Sequence, residues 1–197
     1  MAAIPQPIPT MTEAEYLEFE RASELKHEYY NGEIFAMTGA SEEHNSICMS
    51  AGFLLYGQLR NRPCRVYQSD MKVKVEAAKL YTYPDLVVRC GEAQFVDDKF
   101  DTLLNPVVII EVLSPSTERY DRGDKFGHYR KIPTLREYLL VSQNKPHIER
   151  YLRQDDGKWE FSDATGLDAI VELSSIDCTL PLSEVYEQVT FTEDDGG

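Results

Sequence analysis

Two acids and a lysine have residue types and surroundings that suit a metal site. Glu111 interrupts the most apolar run of the chain, and Asp85 stands at the start of a second strand-like run. Burying an unpaired carboxylate costs roughly several kcal/mol or more, so each acid needs a cation or a proton. Carboxylate oxygens are ligands that Mg²⁺ or Mn²⁺ prefers. The pattern predicts one such ion bound by Asp85 and Glu111, with the backbone carbonyl of Val112 as a further ligand and Lys125 beside it.

Such a site would favour attack by water on a phosphoryl group. A bound metal lowers the pKa of its water and stabilises charge on phosphate oxygens. A neighbouring lysine orients that water or stabilises the transition state. Each residue alone also fits a structural role. Asp85 suits a turn, Glu111 suits an internal salt bridge to Lys125 or Arg130, and Lys125 suits a surface pair with Asp121. Only their combination and order favour catalysis.

Five more residues are candidates for supporting roles in the predicted site. They are Glu33, His44, Asp70, Asp121 and Tyr129. Glu33 and Asp70 are read as extra acids near the metal, or equally as turn or solvent-facing residues. His44 is read as a phosphate or acid contact, or as a helix-capping or core residue. Asp121 and Tyr129 lie four residues before and after the lysine, so all three share one helical face.

Two strands and a helix must bring these residues together. The β-branched run of residues 107–112 predicts a central strand buried on both faces. Residues 121–131 read as a helix. Further strands are predicted over residues 65–75, as one long strand or a hairpin, and over residues 136–142. Residues 148–152 and 158–161 read as an edge hairpin, residues 91–105 as a polar loop, and residues 182–189 as a short closing helix.

The N-terminal part has clear helix and turn patterns. Thr12 and Glu15 form a capping box that opens a short helix. Asn31-Gly32 predicts a tight hairpin, and Ser41 is an N-cap for a helix over residues 42–59. These helices and strands predict the α/β (α+β) fold class. We expect a leader over residues 1–10, a single domain over residues 11–190 and an acidic disordered tail over residues 191–197.

Composition favours a soluble cytoplasmic protein. The 197 residues are 42% hydrophobic and 27% charged, and no run reaches the length of a membrane span. The four cysteines are scattered without a CxxC motif, so reduced thiols are expected rather than a disulfide or zinc framework. The net charge of −14 opposes non-specific binding to nucleic acid. It does not exclude an enzyme whose metal ions neutralise the acids locally.

The ordered motifs resemble those of a known superfamily. Pro84-Asp85, then Glu111-Val-Leu-Ser-Pro-Ser-Thr117, then Asp121-Arg-Gly-Asp-Lys125 are similar to the PD-(D/E)XK phosphodiesterases. More narrowly, they resemble the restriction-endonuclease-like proteins catalogued as domain of unknown function 820. The resemblance implies a restriction-endonuclease-like core, which is a mixed central β-sheet flanked by helices, with an N-terminal helix and β-hairpin. It also implies Mg-dependent DNA cleavage. The superfamily places a lysine two residues after the second acid, where this chain has Leu113, so Lys125 would have to replace it.

Two other functions remain open from the sequence. One is a non-catalytic module that binds nucleic acid or protein and keeps the nuclease fold, as the charge of −14 suggests. The other uses Asp85 and Glu111 as an acid/base pair on a glycosidic bond, which leaves Lys125 without a role. If the chain cuts both strands of DNA, a homodimer is expected, because twofold symmetry pairs two sites.

Overall fold

The structure is a computed structural model that describes residues 10–191. The helices are α1 (Glu13–Ala22), α2 (Glu42–Leu59), α3 (Glu118–Tyr120), α4 (Phe126–Tyr129) and α5 (Leu182–Val185). The strands are β1 (His27–Tyr30), β2 (Glu33–Ala36), β3 (Cys64–Gln68), β4 (Lys72–Val75), β5 (Leu80–Thr82), β6 (Leu86–Cys90), β7 (Thr102–Leu103), β8 (Val108–Leu113), β9 (Glu137–Ser142), β10 (His147–Arg153), β11 (Trp159–Thr165), β12 (Ile170–Leu173) and β13 (Cys178–Pro181). A 3₁₀ turn spans Glu76–Ala78, and a π-helical turn, Asp121–Lys125, joins α3 to α4.

A six-stranded mixed sheet has β8 near its centre. The strand order is β11-β10-β9-β8-β6-β3, with β8 and β9 parallel and the other pairs antiparallel. All six residues of β8 are buried, as expected for a central strand. In the antiparallel β6–β8 pair, Leu86 is opposite Ile110. The residue before Leu86 is Asp85 and the residue after Ile110 is Glu111, so this register brings the start of β6 beside Glu111.

A second sheet of five strands has the order β2-β1-β5-β4-β7, with only β4 and β7 parallel. Its first hairpin turns at Asn31 and Gly32, both with positive φ, as the sequence predicts. The prediction of one strand or one hairpin over residues 65–75 is wrong. β3 belongs to the six-stranded sheet and β4 to the five-stranded sheet. Residues 69–71 form the turn between the two sheets.

The two faces of β8 look into different hydrophobic clusters. Val108, Ile110 and Val112 pack in a cluster with α2, α5 and the β12–β13 hairpin. This hairpin was not predicted from the sequence. Ile109 and Leu113 pack in a second cluster with residues of the five-stranded sheet and α4. Side chains alternate along a strand, so Glu111 shares the second face. This alternation turns Glu111 towards the five-stranded sheet and the helical segment of residues 118–129.

The expectation of four reduced thiols is wrong. Cys64 and Cys90 form a disulfide, and Cys48 and Cys178 are free. The two bonded cysteines are direct partners across the antiparallel β3–β6 pair, which brings them together although 26 positions separate them in sequence. Cysteine spacing alone carries no information about strand register, so this pairing was not predictable from the sequence.

The predicted capping box and N-cap are both present, at Thr12 and Ser41. Mixed sheets flanked by helices, after an N-terminal helix and hairpin, agree with the predicted architecture. Of the predicted leader and tail, only Thr10 and Phe191 fall within the described residues. None of the helices in the described part of the chain combines the length and the apolar character needed to cross a membrane.

Candidate active site

A cleft of about 350 Å³ opens where the two sheets meet the helical segment of residues 118–129. The acidic and basic side chains that line it are Glu28, His44, Asp85, Glu111, Asp121 and Lys125. Four carboxylates therefore face one ammonium and one imidazole. Val112 and the loop of residues 114–117 complete one wall, and residues 35–41 form the opposite rim. The surplus of negative charge is a condition that a divalent cation relieves.

Asp85 and Glu111 meet through the backbone at the start of β6. The Asp85 backbone N–H donates to Glu111 Oε2 at 3.4 Å. The Val112 backbone N–H donates to Asp85 Oδ2 at 2.7 Å, which fixes the orientation of that carboxylate. The structure thus brings together the three residues that the sequence analysis assigned to the metal. The cause is the β6–β8 register, which no sequence pattern specifies.

Lys125 points back to the strand, as its replacement of Leu113 requires. Its Nζ lies 2.9 Å from Glu111 Oε1 and 3.4 Å from Asp121 Oδ1. Leu113 packs into the hydrophobic cluster on the same face of β8. The helical segment therefore supplies the amine from the opposite side of the cleft. Lys125 falls at the end of the π-helical turn, and such turns occur frequently at functional sites.

Burial and ion pairing shift the proton affinities of this cluster. Burial raises the pKa of Glu111 above that of an ordinary glutamate, although the Lys125 ammonium acts to lower it. Burial acts to lower the pKa of Lys125, but the Glu111 carboxylate opposes this and holds the pKa well above its usual value. Burial also raises the pKa of Asp121. Lys125 is therefore an ammonium, held by acids that give up their protons less readily than exposed ones do.

Two more predicted residues contact this cluster. The Tyr129 hydroxyl donates to Glu111 Oε1 at 2.7 Å, so one oxygen of Glu111 is bound by both tyrosine and lysine. Asp121 lies beside Lys125 as predicted, and its backbone carbonyl accepts a hydrogen bond from the Tyr138 hydroxyl at 3.0 Å. These contacts immobilise the lysine and one edge of the glutamate. They leave Glu111 Oε2 on the side of Asp85.

His44 contacts the Asp85 carboxylate. Ser41 caps α2 by accepting the His44 backbone N–H, which places the imidazole at the mouth of the cleft. Its Nε2 is 3.1 Å from Asp85 Oδ2, and its Nδ1 is 3.6 Å from Cys48 Sγ. Burial acts to lower the pKa of His44, but the Asp85 carboxylate raises it above the usual value. His44 thus contacts an acid, one of the two roles considered from the sequence.

Glu28 was missed by the sequence analysis. It lies on β1, binds the hydroxyl of Thr82 and has its Oε1 3.6 Å from Lys125 Nζ. The acid that the sequence analysis selected on the same hairpin, Glu33, is exposed on β2 and does not line the cleft. An alternation of hairpin residues does not reveal which face meets the second sheet, so nothing in the sequence distinguished the two glutamates.

Asp70 is also placed outside the cleft. It pairs with Lys26, and 89% of its side chain is exposed. The turn that carries it connects β3 to β4 on the surface, away from the carboxylates of the cleft. Of the nine predicted site residues, seven therefore converge on one place, whereas Glu33 and Asp70 lie elsewhere.

The donor set fits a hard divalent cation. Asp85 Oδ2 is engaged by Val112 and His44, and Glu111 Oε1 is engaged by Tyr129 and Lys125. Glu111 Oε2 accepts the long hydrogen bond of 3.4 Å from the Asp85 backbone N–H. Asp85 Oδ1 and Glu111 Oε2 are therefore the oxygens with most room for a ligand. Val112, whose carbonyl was the third predicted ligand, lines the same cleft. Mg²⁺ is commonly bound by one or two carboxylates, with water and substrate oxygens completing the octahedron. These residues would hold Mg²⁺ or Mn²⁺.

Comparison with known proteins gives consistent results. A sequence model of the Uma2 family, described as "Putative restriction endonuclease", matches residues 13–183. Two uncharacterized proteins of Synechocystis sp. (strain ATCC 27184 / PCC 6803 / Kazusa) are each 37% identical to this chain. One match spans 185 residues, 94% of this chain and 96% of the relative. The other spans 164 residues, 83% of this chain and 93% of the relative.

A solved structure has the same fold. It is a crystal structure from Anabaena variabilis ATCC 29413, described as a "putative nuclease belonging to DUF820". The TM-score is 0.74 at 18% sequence identity, and the match covers 90% of this chain and 98% of the other. The restriction-endonuclease-like fold predicted from the sequence is thereby confirmed.

Proposed function

This chain belongs to the Uma2 family, and we propose that it is a Mg²⁺- or Mn²⁺-dependent endonuclease that hydrolyses phosphodiester bonds of DNA. The family match and the fold support a nuclease-type function. The observation that carries the finer proposal is the 2.9 Å contact between Lys125 and Glu111 in a cleft that also contains Asp85. It supplies an acid-acid-lysine set even though Leu113 occupies the usual lysine position.

The proposed mechanism assigns a task to each side chain. Asp85 and Glu111 would hold the metal through their carboxylate oxygens, with the Val112 carbonyl as a third ligand. When bound, the ion would supply a water of lowered pKa and neutralise charge on the phosphate. Lys125 holds an ammonium next to the attacked phosphate and stabilises the charge that develops there. Tyr129 and Asp121 hold that ammonium and the glutamate in place, and His44 orients Asp85.

The test is cleavage of plasmid DNA and of a panel of DNA and RNA oligonucleotides with Mg²⁺ or Mn²⁺. We expect Asp85→Asn and Glu111→Gln to reduce the rate by about 100-fold or more. Stabilisation of transition-state charge by a bound metal is worth several kcal/mol, and about 1.4 kcal/mol of activation free energy is a factor of ten in rate. Lys125→Met is expected to lose about 100-fold to 1,000-fold, as for loss of one donor to a developing oxyanion.

Matched controls come from the same chain. Asp70→Asn removes an exposed carboxylate outside the cleft and is expected to leave the rate unchanged. Each variant is checked by circular dichroism, so that loss of fold is not mistaken for loss of chemistry. Absence of metal-dependent cleavage on the whole panel, or full activity of Glu111→Gln, would contradict the proposal.

A binding module that keeps the nuclease fold is the second candidate. The net charge of −14 favours it, because such a charge repels a nucleic-acid backbone. Calorimetric titration with Mn²⁺ separates the two. The enzyme is supported if the wild-type chain cleaves nucleic acid and releases or absorbs heat on binding Mn²⁺, and if Asp85→Asn loses that heat. A folded wild-type protein that takes up no Mn²⁺ supports the binding module. A glycosidic mechanism is less consistent with the structure, because it gives the Lys125–Glu111 contact no task.

We further propose that the protein is a homodimer. It would act on nucleic acid in the cytoplasm. The exposed face of α2 supports a dimer, since Met49, Phe53 and Tyr56 follow an i, i+4, i+7 pattern and are 62%, 72% and 60% exposed. From residue 44 to residue 59 the helix has no Asp, Glu, Lys or Arg. In a chain this acidic, two copies repel least at a neutral face. Antiparallel pairing would also place Arg60 of one copy near Glu42 of the other.

A further inference from the structure

A cysteine at the cleft is not used by the proposed mechanism. Cys48 is one of two free cysteines and lies one helical turn after His44, on the same face of α2. Its Sγ is 3.6 Å from His44 Nδ1. Most of the thiol is shielded from solvent, and this burial raises its pKa above the ordinary value. A thiol in this position, beside an imidazole and a carboxylate, has the chemistry of a metal ligand.

Three different ligand types converge there. His44, Cys48 and Asp85 each offer one ligand atom, and these atoms all lie within 4.8 Å of one another. The His44 Nε2 is 3.1 Å from Asp85 Oδ2. One ion placed among them would have sulfur, nitrogen and oxygen ligands with a fourth position open. That is the donor number of an open tetrahedral zinc site.

The ligand types differ in kind from those of the proposed magnesium set. Thiolate and imidazole select soft and borderline ions such as Zn²⁺ and Co²⁺, whereas carboxylate and carbonyl oxygens select Mg²⁺ and Mn²⁺. Asp85 belongs to both sets. The Val112 N–H fixes its Oδ2 on the side that also faces His44. An ion held by Cys48, His44 and this carboxylate would neutralise Asp85 and put a second divalent charge beside the magnesium set, so it would weaken Mg²⁺ binding.

We propose that His44, Cys48 and Asp85 form a second metal site, which binds Zn²⁺ or a similar thiophilic cation and blocks the magnesium site by engaging Asp85. Binding replaces the thiol proton, which is released to solvent, by the bond from sulfur to metal. The blocking effect rests on the proposed function, but the binding of the ion does not. Low concentrations of Zn²⁺ would then inhibit DNA cleavage at a fixed concentration of Mg²⁺.

Titration of the chelator-treated full chain with Co²⁺ tests the binding directly. We expect one equivalent to produce the near-ultraviolet absorption of a thiolate bound to cobalt. Cys48→Ser abolishes this absorption. Asp85→Asn weakens cobalt binding by about tenfold or more, because losing even a residue that only hydrogen-bonds to a metal ligand lowers metal affinity by that factor. Cys178→Ser is the matched control, because Cys178 is a free cysteine outside the cleft. It should retain the absorption.

The outcomes separate the two proposals. No cobalt–thiolate absorption in the wild-type chain, or equal absorption in folded Cys48→Ser, overturns the second site and leaves the nuclease proposal standing. Absorption without any metal-dependent cleavage supports the second site and contradicts the nuclease. In an active protein, Cys48→Ser should raise the Zn²⁺ concentration needed for half inhibition by about tenfold or more. An unchanged inhibition curve overturns the blocking effect.

Discussion

Glu111 and Lys125 have a structural task besides their proposed catalytic one. Both side chains are more than 90% buried, and the lysine also contacts Asp121. A buried pair contributes little net stability over a hydrophobic replacement of both partners. Removing only one partner is costly, because it leaves an uncompensated charge in the interior. The two residues therefore stabilise the closed arrangement of strand and helix only as a pair.

Lys125→Met is expected to lower the free energy of unfolding by about 3–5 kcal/mol, because Glu111 and Asp121 lose their buried cation. Urea unfolding followed by circular dichroism measures the change. Lys131→Met, at an exposed lysine just after α4, is the control and should change stability by less than about 0.5 kcal/mol. Equal stability of Lys125→Met and Lys131→Met would show that the pair is not a structural element.

At the residue scale, the sequence identified site residues where a residue type or spacing stood out from its local pattern. Glu111 was identifiable because it stands inside an apolar run, and Lys125 because it follows at helical spacing from Asp121. No local pattern of this kind distinguished Glu28 or Cys48. Glu28 approaches Lys125 across 97 positions of sequence through the contact of two sheets, and that contact depends on the tertiary fold. Cys48 sits in an ordinary amphipathic pattern.

At the scale of elements, the Cys64–Cys90 disulfide joins β3 to β6 at the edge of the six-stranded sheet. Replacing both cysteines by alanine is expected to cost about 3.5 kcal/mol, the chain-entropy value for a closed loop of this length. The comparison is made by urea unfolding in oxidising buffer. Wild-type protein unfolded under reducing conditions should match the double variant. Equal stability of the oxidised wild type and the double variant would contradict a stabilising bond.

Element types were easier to predict than element partners. Thr12 and Ser41 mark helix starts through local hydrogen bonds, and Asn31-Gly32 marks a turn through backbone conformation alone. The partners of β3 and β4 depend on packing between distant segments, so their division between two sheets was not readable. The β12–β13 hairpin was missed because its burial comes from contact with α2 and α5.

At the scale of the whole molecule, the exposed face of α2 formed by Met49, Phe53 and Tyr56 predicts self-association. Phe53→Glu is expected to convert a dimer to a monomer, because it places a buried, unpaired carboxylate at the proposed contact. Light scattering coupled to size-exclusion chromatography measures the mass. Phe161→Glu, at an exposed aromatic on β11, is the matched control and should leave the mass unchanged. A wild-type monomer at working concentration would contradict the dimer.

The buried pair of Glu111 and Lys125 also constrains how this chain can diverge. A substitution at either position is selected against twice, once through cleavage and once through folding. Asp85 is less deeply buried and faces the mouth of the cleft, so its loss affects mainly the chemistry. In a lineage that no longer needs cleavage, drift should therefore replace Asp85 first. A descendant that keeps the glutamate and the lysine but lacks this aspartate would be a folded relic of an enzyme.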